Sequence, residues 1–168
     1  MVRLRLPFRT INRAADFGYQ PGMQRHHLLP RQLLSASCFG ALFDRLGRDR
    51  VGFDDFRLNG LLLPRTDRAA MGIGLPLHRG PHSHYNAMVF ERVGQIEGGW
   101  AKRRLGRPDD ALEEALMRLT LLQRALRRRL LAERRRLRLN RADPLGSGRD
   151  FAELDAMAEL LWRETGKG

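Results

Sequence analysis

The sequence predicts an α+β fold that is mostly helical, with a short β-hairpin and long helices toward the C-terminus. Leucines recur at intervals of three, four or seven over residues 109–139, which is the spacing of a helix with one apolar face. Two short segments are expected to be strands: residues 23–29, which end before Pro30, and the apolar run 61–63, which ends before Pro64. The chain has 168 residues, of which 42% are hydrophobic, enough for one domain with a core.

Breaker residues and apolar spacing predict the remaining elements. Prolines and glycines at the N-terminus indicate an irregular arm, and those between the second strand and the second histidine cluster indicate a loop. Pro81 suits the first position of a helix that ends near Gly98-Gly99. The full set is an arm over residues 1–22, a helix over 31–47, a loop over 65–77, the helix from Pro81, the helix over 109–139 and a last helix over about 150–163.

Charge and composition limit the possible partners and setting. The net charge is +12 and the pI is near 11.4, supplied almost entirely by arginine, which favours polyanionic partners. The lone Cys38 excludes an internal disulfide framework and a thiolate metal cage. No signal peptide or run of about 20 apolar residues is visible, so we expect a cytoplasmic protein that makes no membrane contact.

The charge is unevenly spread, which suggests three parts. Residues 51–100 are neutral, whereas residues 1–50 carry a net +6 and residues 101–150 a net +8. We predict an N-terminal arm (1–22), a core that holds the histidines (23–100) and a helical extension rich in arginine and leucine (101–168).

All five histidines fall in two clusters about fifty residues apart, His26-His27 and His78, His82 and His84. Neutral imidazoles bind transition metals, and an imidazole near its normal pKa can take a proton from water. Phosphodiester hydrolysis needs both functions. The clustering therefore predicts one polar site assembled from two segments.

Spacing suggests how the imidazoles divide these functions. Adjacent residues on a strand point to opposite sides, so His26 and His27 can serve different roles. His78 and His82 are four residues apart, which brings two side chains together on one helical face. If the helix begins only near Pro81, His78 lies in the preceding turn.

Three short motifs contain these histidines and Asn59: His-His-x-x-Pro from His26, Asn-x-x-x-Leu-Pro from Asn59 and His-x-Gly-x-His-x-x-Tyr from His78. Together they resemble the AHH branch of the HNH nucleases, which are ββα-metal endonucleases. The resemblance covers about residues 23–97. Arg25 replaces the alanine that gives the AHH family its first letter. The family does not use this position as a metal ligand.

The resemblance implies a role for each motif residue. His27 would be the general base, and Asn59 would hold the loop that positions it. His26, His78 and His82 would bind one divalent ion, with Zn, Mg, Ni and Mn all open. Substrate contacts would come from His84, Arg25 and Arg79. Outside the motifs, the positive charge of the arginine-rich helix predicts phosphate contacts on the nucleic acid from Arg127, Arg128, Arg129, Arg134 and Arg135.

The function implied is metal-dependent cleavage of DNA, with an immunity protein as a conceivable partner. One alternative is a toxin-type RNase on the same core. Another is a non-catalytic nucleic-acid-binding protein with a structural zinc, for which His84 would be the fourth ligand. The arginines of the 109–139 helix can instead form a solvated face, and its leucine seam can pair with a second copy to give a homodimer.

Overall fold

The computed structural model describes residues 4–133, 136–140 and 142–145 and confirms an α+β fold that is mostly helical. In chain order its elements are β1 (Met23–His27), α1 (Gly40–Leu46), α2 (Arg48–Val51), α3 (Phe56–Asn59), β2 (Gly60–Pro64), α4 (Asp67–Ile73), α5 (Ser83–Arg103) and α6 (Pro108–Leu131). Single 3₁₀ turns occur at Phe8–Thr10, Arg31–Leu34 and Ser37–Phe39. None of the described helices is both long and apolar enough to cross a bilayer.

The two strands form an antiparallel pair in which Met23 lies opposite Pro64 and His27 opposite Gly60. Residues 28–59 connect them, so the predicted hairpin is closed by a long excursion and not by a tight turn. A Cβ at Gly60 would lie 2.1 Å from a ring carbon of Phe56, which explains glycine opposite His27. The pair thus ends at His27, the second residue of the first histidine motif.

Helices α5 and α6 pack together and supply much of the core. Each helix buries one stripe at intervals of three or four residues, as a helix with one apolar face requires. The buried residues of α5 are Tyr85, Val89, Val93, Ile96 and Trp100. Those of α6 are Ala111, Ala115, Leu119, Gln123, Leu126 and Leu130.

The helix predicted over residues 31–47 was wrong in its first half, because only α1 is α-helical there. The break falls at Ala36, whose backbone is extended at φ −77° and ψ 115°. The Ser35 hydroxyl donates to the Gln32 carbonyl at 3.0 Å, a local bond that competes with helix continuation.

The loop predicted over residues 65–77 was also wrong, because it contains α4. The Thr66 hydroxyl accepts from the Ala69 N–H at 3.3 Å and caps the helix, and Gly74 ends it in the left-handed region at φ 72°. Gly72 stands inside the helix, where we had counted it as a breaker.

The ends of the two long helices differ from the prediction as well. Helix α5 continues past Gly98-Gly99 to Arg103, so that Trp100 joins the core. Helix α6 ends at Leu131, eight residues before the predicted end, because Ala132 is extended. The helix predicted over about 150–163 lies outside the described residues.

Candidate active site

Strand β1 delivers its two histidines to different environments. His26 is 3% exposed, and its ring meets those of His78, His82 and Tyr85 edge-on. His27 instead stacks on Phe8 of the N-terminal arm. This division follows from the alternation of side chains along a strand.

The second histidine cluster lies in the loop before α5. His78 is tied to the end of β2, because its N–H donates to the Pro64 carbonyl at 2.6 Å. His82 occupies the N-cap position immediately before α5, without a side-chain capping hydrogen bond. Neither residue lies within α5. The prediction that His78 and His82 share one helical face is therefore wrong, and His78 precedes the helix, as expected for a helix that begins only near Pro81.

Three imidazoles converge across the two segments. The ring centroids of His78 and His82 are 4.5 Å apart. The ring centroid of His26 lies 5.0 Å from that of His78 and 5.7 Å from that of His82. One nitrogen from each ring lies within 4.8 Å of the other two. Such an arrangement can hold a metal ion.

Hydrogen bonds on the far side of two rings orient them. Nδ1 of His78 meets the Gln24 side-chain oxygen at 3.0 Å, and Nδ1 of His82 meets the Leu139 carbonyl at 3.3 Å. Because these oxygens accept, each ring donates from Nδ1 and keeps its lone pair on Nε2. Metal-binding histidines are commonly oriented by such an outer hydrogen bond.

Nε2 of His26 is a buried polar atom with no hydrogen-bond partner among the described residues. Burial, together with the neighbouring His78 and His82, lowers the pKa of His26 to about 2. Burial also lowers the pKa of His78 to about 4 and lowers that of His82. All three rings are therefore neutral at pH 7, the form that binds a metal.

His27 is held by the N-terminal arm. Its ring lies 3.8 Å from that of Phe8, centroid to centroid, and Arg25 donates to the Phe8 carbonyl at 2.8 Å. Burial, together with the charge of Arg31, lowers the pKa of His27 to about 4. Its Nε2 is buried and lacks a partner within the described part of the chain. A neutral imidazole with an unsatisfied nitrogen is suited to receive a water.

The backbone after His27 is fixed by two buried side chains. The Asn59 amide accepts from the Leu29 N–H at 2.7 Å and donates to the Leu29 carbonyl at 3.1 Å. The Tyr85 hydroxyl donates to the Leu28 carbonyl at 2.7 Å, and burial raises the Tyr85 pKa. These bonds limit movement of the strand end that carries both histidines.

A family model matches residues 8–126, and it describes a nuclease family of the HNH/endonuclease VII superfamily with conserved AHH. The chain belongs to the AHH nuclease family. The match to this AHH nuclease begins at Phe8 and ends at Leu126, so it takes in part of the arm and most of α6. Searches among curated proteins and among solved structures gave no match.

The side chains predicted to contact substrate lie in different settings in this AHH nuclease. The guanidinium of Arg25 makes hydrogen bonds within the protein, since it donates to the carbonyls of Phe8 and Ile11 in the arm. Arg79 is half-exposed and lies 3.6 Å from the carboxylate of Asp67. His84 is exposed and outside the three-imidazole group. It lines a surface cavity of about 450 Å³ with Pro81, Ser83, Leu139 and Asn140.

The arginines predicted to bind phosphate also divide into groups. Arg127 is partly buried and donates to the Arg57 carbonyl at 2.8 Å, so its guanidinium holds the end of α3. Arg128 and Arg129 are exposed near the end of α6. Arg134 and Arg135 lie outside the described residues.

Sequence reasoning missed several residues around the histidines. Gln24 had a usable signal, because it lies two residues before His26 and therefore on the same side of β1. Gln123 interrupts the leucine seam of α6, and its amide donates to Asn59 Oδ1 at 3.3 Å. Phe8 and Leu139 carried no signal, since their contacts depend on tertiary packing.

Proposed function

We propose that this AHH nuclease is a metal-dependent endonuclease that hydrolyses phosphodiester bonds in DNA. His27 is the general base, and His26, His78 and His82 hold one divalent ion. The observation that carries the proposal is the convergence of three imidazole nitrogens within 4.8 Å, one of them from His26, which precedes His27 on β1.

The donor set of the protein fits a metal ion. Nε2 of His26 is buried and lacks a partner among the described residues, which an ion would correct. Two of the rings are oriented through Nδ1 by Gln24 and Leu139. Three neutral imidazoles favour zinc, nickel or another transition metal over magnesium, which prefers oxygen ligands.

The number of candidate protein ligands supports a catalytic site over a structural one. The metal-competent group among the described residues has three members, and His84 is not one of them. Three protein ligands leave a position for substrate or water, whereas structural zinc sites have four protein ligands. This favours the enzyme over the non-catalytic zinc protein.

A divalent ion in this position would polarise the scissile phosphate and neutralise charge on the leaving oxygen. The chain's own residues supply the proton transfer. His27 is unprotonated at neutral pH because its pKa is lowered to about 4, so its imidazole can take a proton from the attacking water. The Phe8 stack holds the ring plane during that transfer.

Exposed arginines near the site would bind the flanking phosphates. The Leu137 N–H donates to the Arg129 carbonyl at 3.2 Å, and the Leu139 carbonyl accepts from His82 at 3.3 Å. A chain of three residues spans little more than 10 Å, so the Arg129 carbonyl lies no more than about 17 Å from His82. A duplex held at Arg128 and Arg129 would therefore reach the histidines.

Cleavage of supercoiled plasmid with and without EDTA tests the proposal. We expect nicking that EDTA abolishes and that Zn²⁺, Ni²⁺ or Mn²⁺ restores. A parallel assay with single-stranded and structured RNA should give slower cleavage than DNA. Cleavage of RNA alone would favour a toxin-type RNase, and zinc binding without any cleavage would favour the structural zinc protein.

A further inference from the structure

We propose that the segment after α6, residues 136–140 and 142–145, positions the metal ligands of this enzyme. We name it the C-terminal clamp. It holds the loop that carries His78 and His82 and presents the backbone acceptor that orients His82. The inference rests on the proposed function, in that these two histidines and His26 bind the ion.

The clamp contacts the loop that carries the two ligands, residues 77–82, at its start, its middle and its end. We call this loop the ligand loop. The Asp143 carboxylate accepts from the Leu77 N–H at 3.2 Å, one residue before His78. The Asn140 amide donates to the Arg79 carbonyl. The Leu139 carbonyl accepts from Nδ1 of His82.

The clamp is itself anchored in the fold. Leu139 is 4% exposed and belongs to the hydrophobic core, and the Leu137 N–H donates to the carbonyl of Arg129 in α6. Asp143 is 8% exposed and also accepts from the Leu145 N–H at 3.1 Å, so its carboxylate bridges clamp and loop. An anchored segment can restrain the loop that it contacts.

The ligand loop needs such a restraint. His78 lies outside regular secondary structure, and Gly80 has φ +76°, so no helical hydrogen bonds hold the backbone between the two histidines. A metal site loses affinity when its ligands are free to spread, because binding must then order them. Outer contacts of this kind typically contribute 10- to 100-fold in metal affinity.

The clamp lies beyond the part of the chain that the family model matches. The match ends at Leu126, ten residues before the clamp begins. The core motifs therefore supply the ligands, while a segment outside the matched range completes their support. This division predicts that the clamp can be weakened without removing any ligand.

Zinc affinity of the full-length, DNA-free protein tests the clamp, measured by competition with a chromophoric chelator. Asp143→Ala and Asn140→Ala should weaken Zn²⁺ binding, and the double variant should bind about 10- to 100-fold more weakly than the wild type. Asp143→Asn keeps an oxygen for the Leu77 N–H and should restore most of the affinity. The absorption spectrum of bound Co²⁺ should change in the alanine variants and return in Asp143→Asn.

Asp16→Ala is the matched control, because Asp16 also accepts from a backbone N–H, that of Arg13 at 3.1 Å, but lies in the arm. It should leave Zn²⁺ affinity unchanged. A folded double variant that binds Zn²⁺ within twofold of the wild type would overturn the inference. If Asp143→Ala does not fold, Asn140→Ala decides, since it removes a bond at the surface.

His78→Ala separates this inference from the proposed function. Loss of Zn²⁺ binding in His78→Ala, with normal binding in the clamp variants, contradicts the clamp alone. A wild type that does not bind Zn²⁺, or a His78→Ala variant that binds as tightly as the wild type, contradicts the metal site and the clamp together.

Discussion

Phe8 lies flat against His27, with ring centroids 3.8 Å apart and ring planes only 2° from parallel. The Phe8 ring also meets Phe56 edge-on at 5.2 Å, and Phe56 in turn packs over Gly60. The imidazole is thus one layer of an aromatic stack that joins the N-terminal arm to the strand pair. Rotation of the His27 ring would break this stack.

We expect Phe8→Leu to lower kcat by about 10- to 100-fold, because a misplaced catalytic group costs rate even when every reacting group remains. KM for DNA and Zn²⁺ affinity should stay near wild type, since the Phe8 ring packs on His27 and Phe56 and the substitution keeps the carbonyl that accepts from Arg25. Phe8→Tyr preserves the ring and should retain activity. Steady-state cleavage kinetics compare the variants. A wild-type kcat in Phe8→Leu would contradict the claim that Phe8 positions His27.

A buried amide pair connects α6 to the histidine motif. Gln123 donates to the Val51 carbonyl at 3.1 Å and to Asn59 at 3.3 Å. We expect Gln123→Leu to destabilise the protein by about 1–3 kcal/mol, because both acceptors lose a donor in a buried site. Urea unfolding measures the change. Gln95→Leu on the exposed face of α5 is the control and should change stability by less than about 0.5 kcal/mol.

The arginines at the end of α6 should differ in what they contribute. Arg128→Gln/Arg129→Gln should weaken DNA binding and reduce the magnitude of the log–log salt slope by about 1.8, as expected for two lost phosphate contacts. Arg127→Gln should instead lower stability, because it removes the donor to the Arg57 carbonyl. Binding isotherms between about 50 and 200 mM salt test this. An unchanged slope in the double variant would mean that these arginines form only a solvated face.

The metal-free protein should lose stability as the pH falls below neutrality. Burial lowers the pKa of His26 to about 2 and those of His27 and His78 to about 4, while unfolded histidines titrate near 6.5. Between about pH 6.5 and 4 the unfolded chain therefore binds protons that the folded chain does not, so stability falls with falling pH.

A fully buried imidazole contributes about 1.4 kcal/mol per pH unit in that window, and the partly exposed rings contribute less. Urea midpoints in EDTA at pH 7.5, 6.0 and 5.0 should decline steadily. The urea midpoint of the His26→Leu variant should decline less steeply with falling pH than that of the wild type. Equal wild-type midpoints at pH 7.5 and 5.0 would contradict the burial of neutral histidines.

The sequence predicted the parts of the fold that follow from short-range patterns. The predicted strands at 23–29 and 61–63 correspond to β1 (Met23–His27) and β2 (Gly60–Pro64), and the leucine-spaced segment forms α6. The errors were at element ends and at α4, where we gave more weight to Gly72 than to the capping residue Thr66. Local rules compete at such positions, and tertiary packing decides the outcome.

The histidine site was predictable because its residues are chemically distinctive and grouped in the chain. His26, His78 and His82 are brought together by the strand pair and the loop before α5. The supports around them were not predictable, because Phe8 and Leu139 are ordinary apolar residues. Leu139 acts through its backbone carbonyl, which every residue possesses.

Parallel measurement of DNA cleavage and metal content in His26→Ala and His27→Ala tests the central claim most directly. Both variants should lose cleavage, and removal of the general base in His27→Ala should cost about 10²–10⁴ in rate. Only His26→Ala should lose bound zinc, because the His26 ring meets His78 and His82 while His27 stacks on Phe8. Wild-type cleavage by His27→Ala, or loss of zinc from His27→Ala with zinc retained by His26→Ala, would contradict the account.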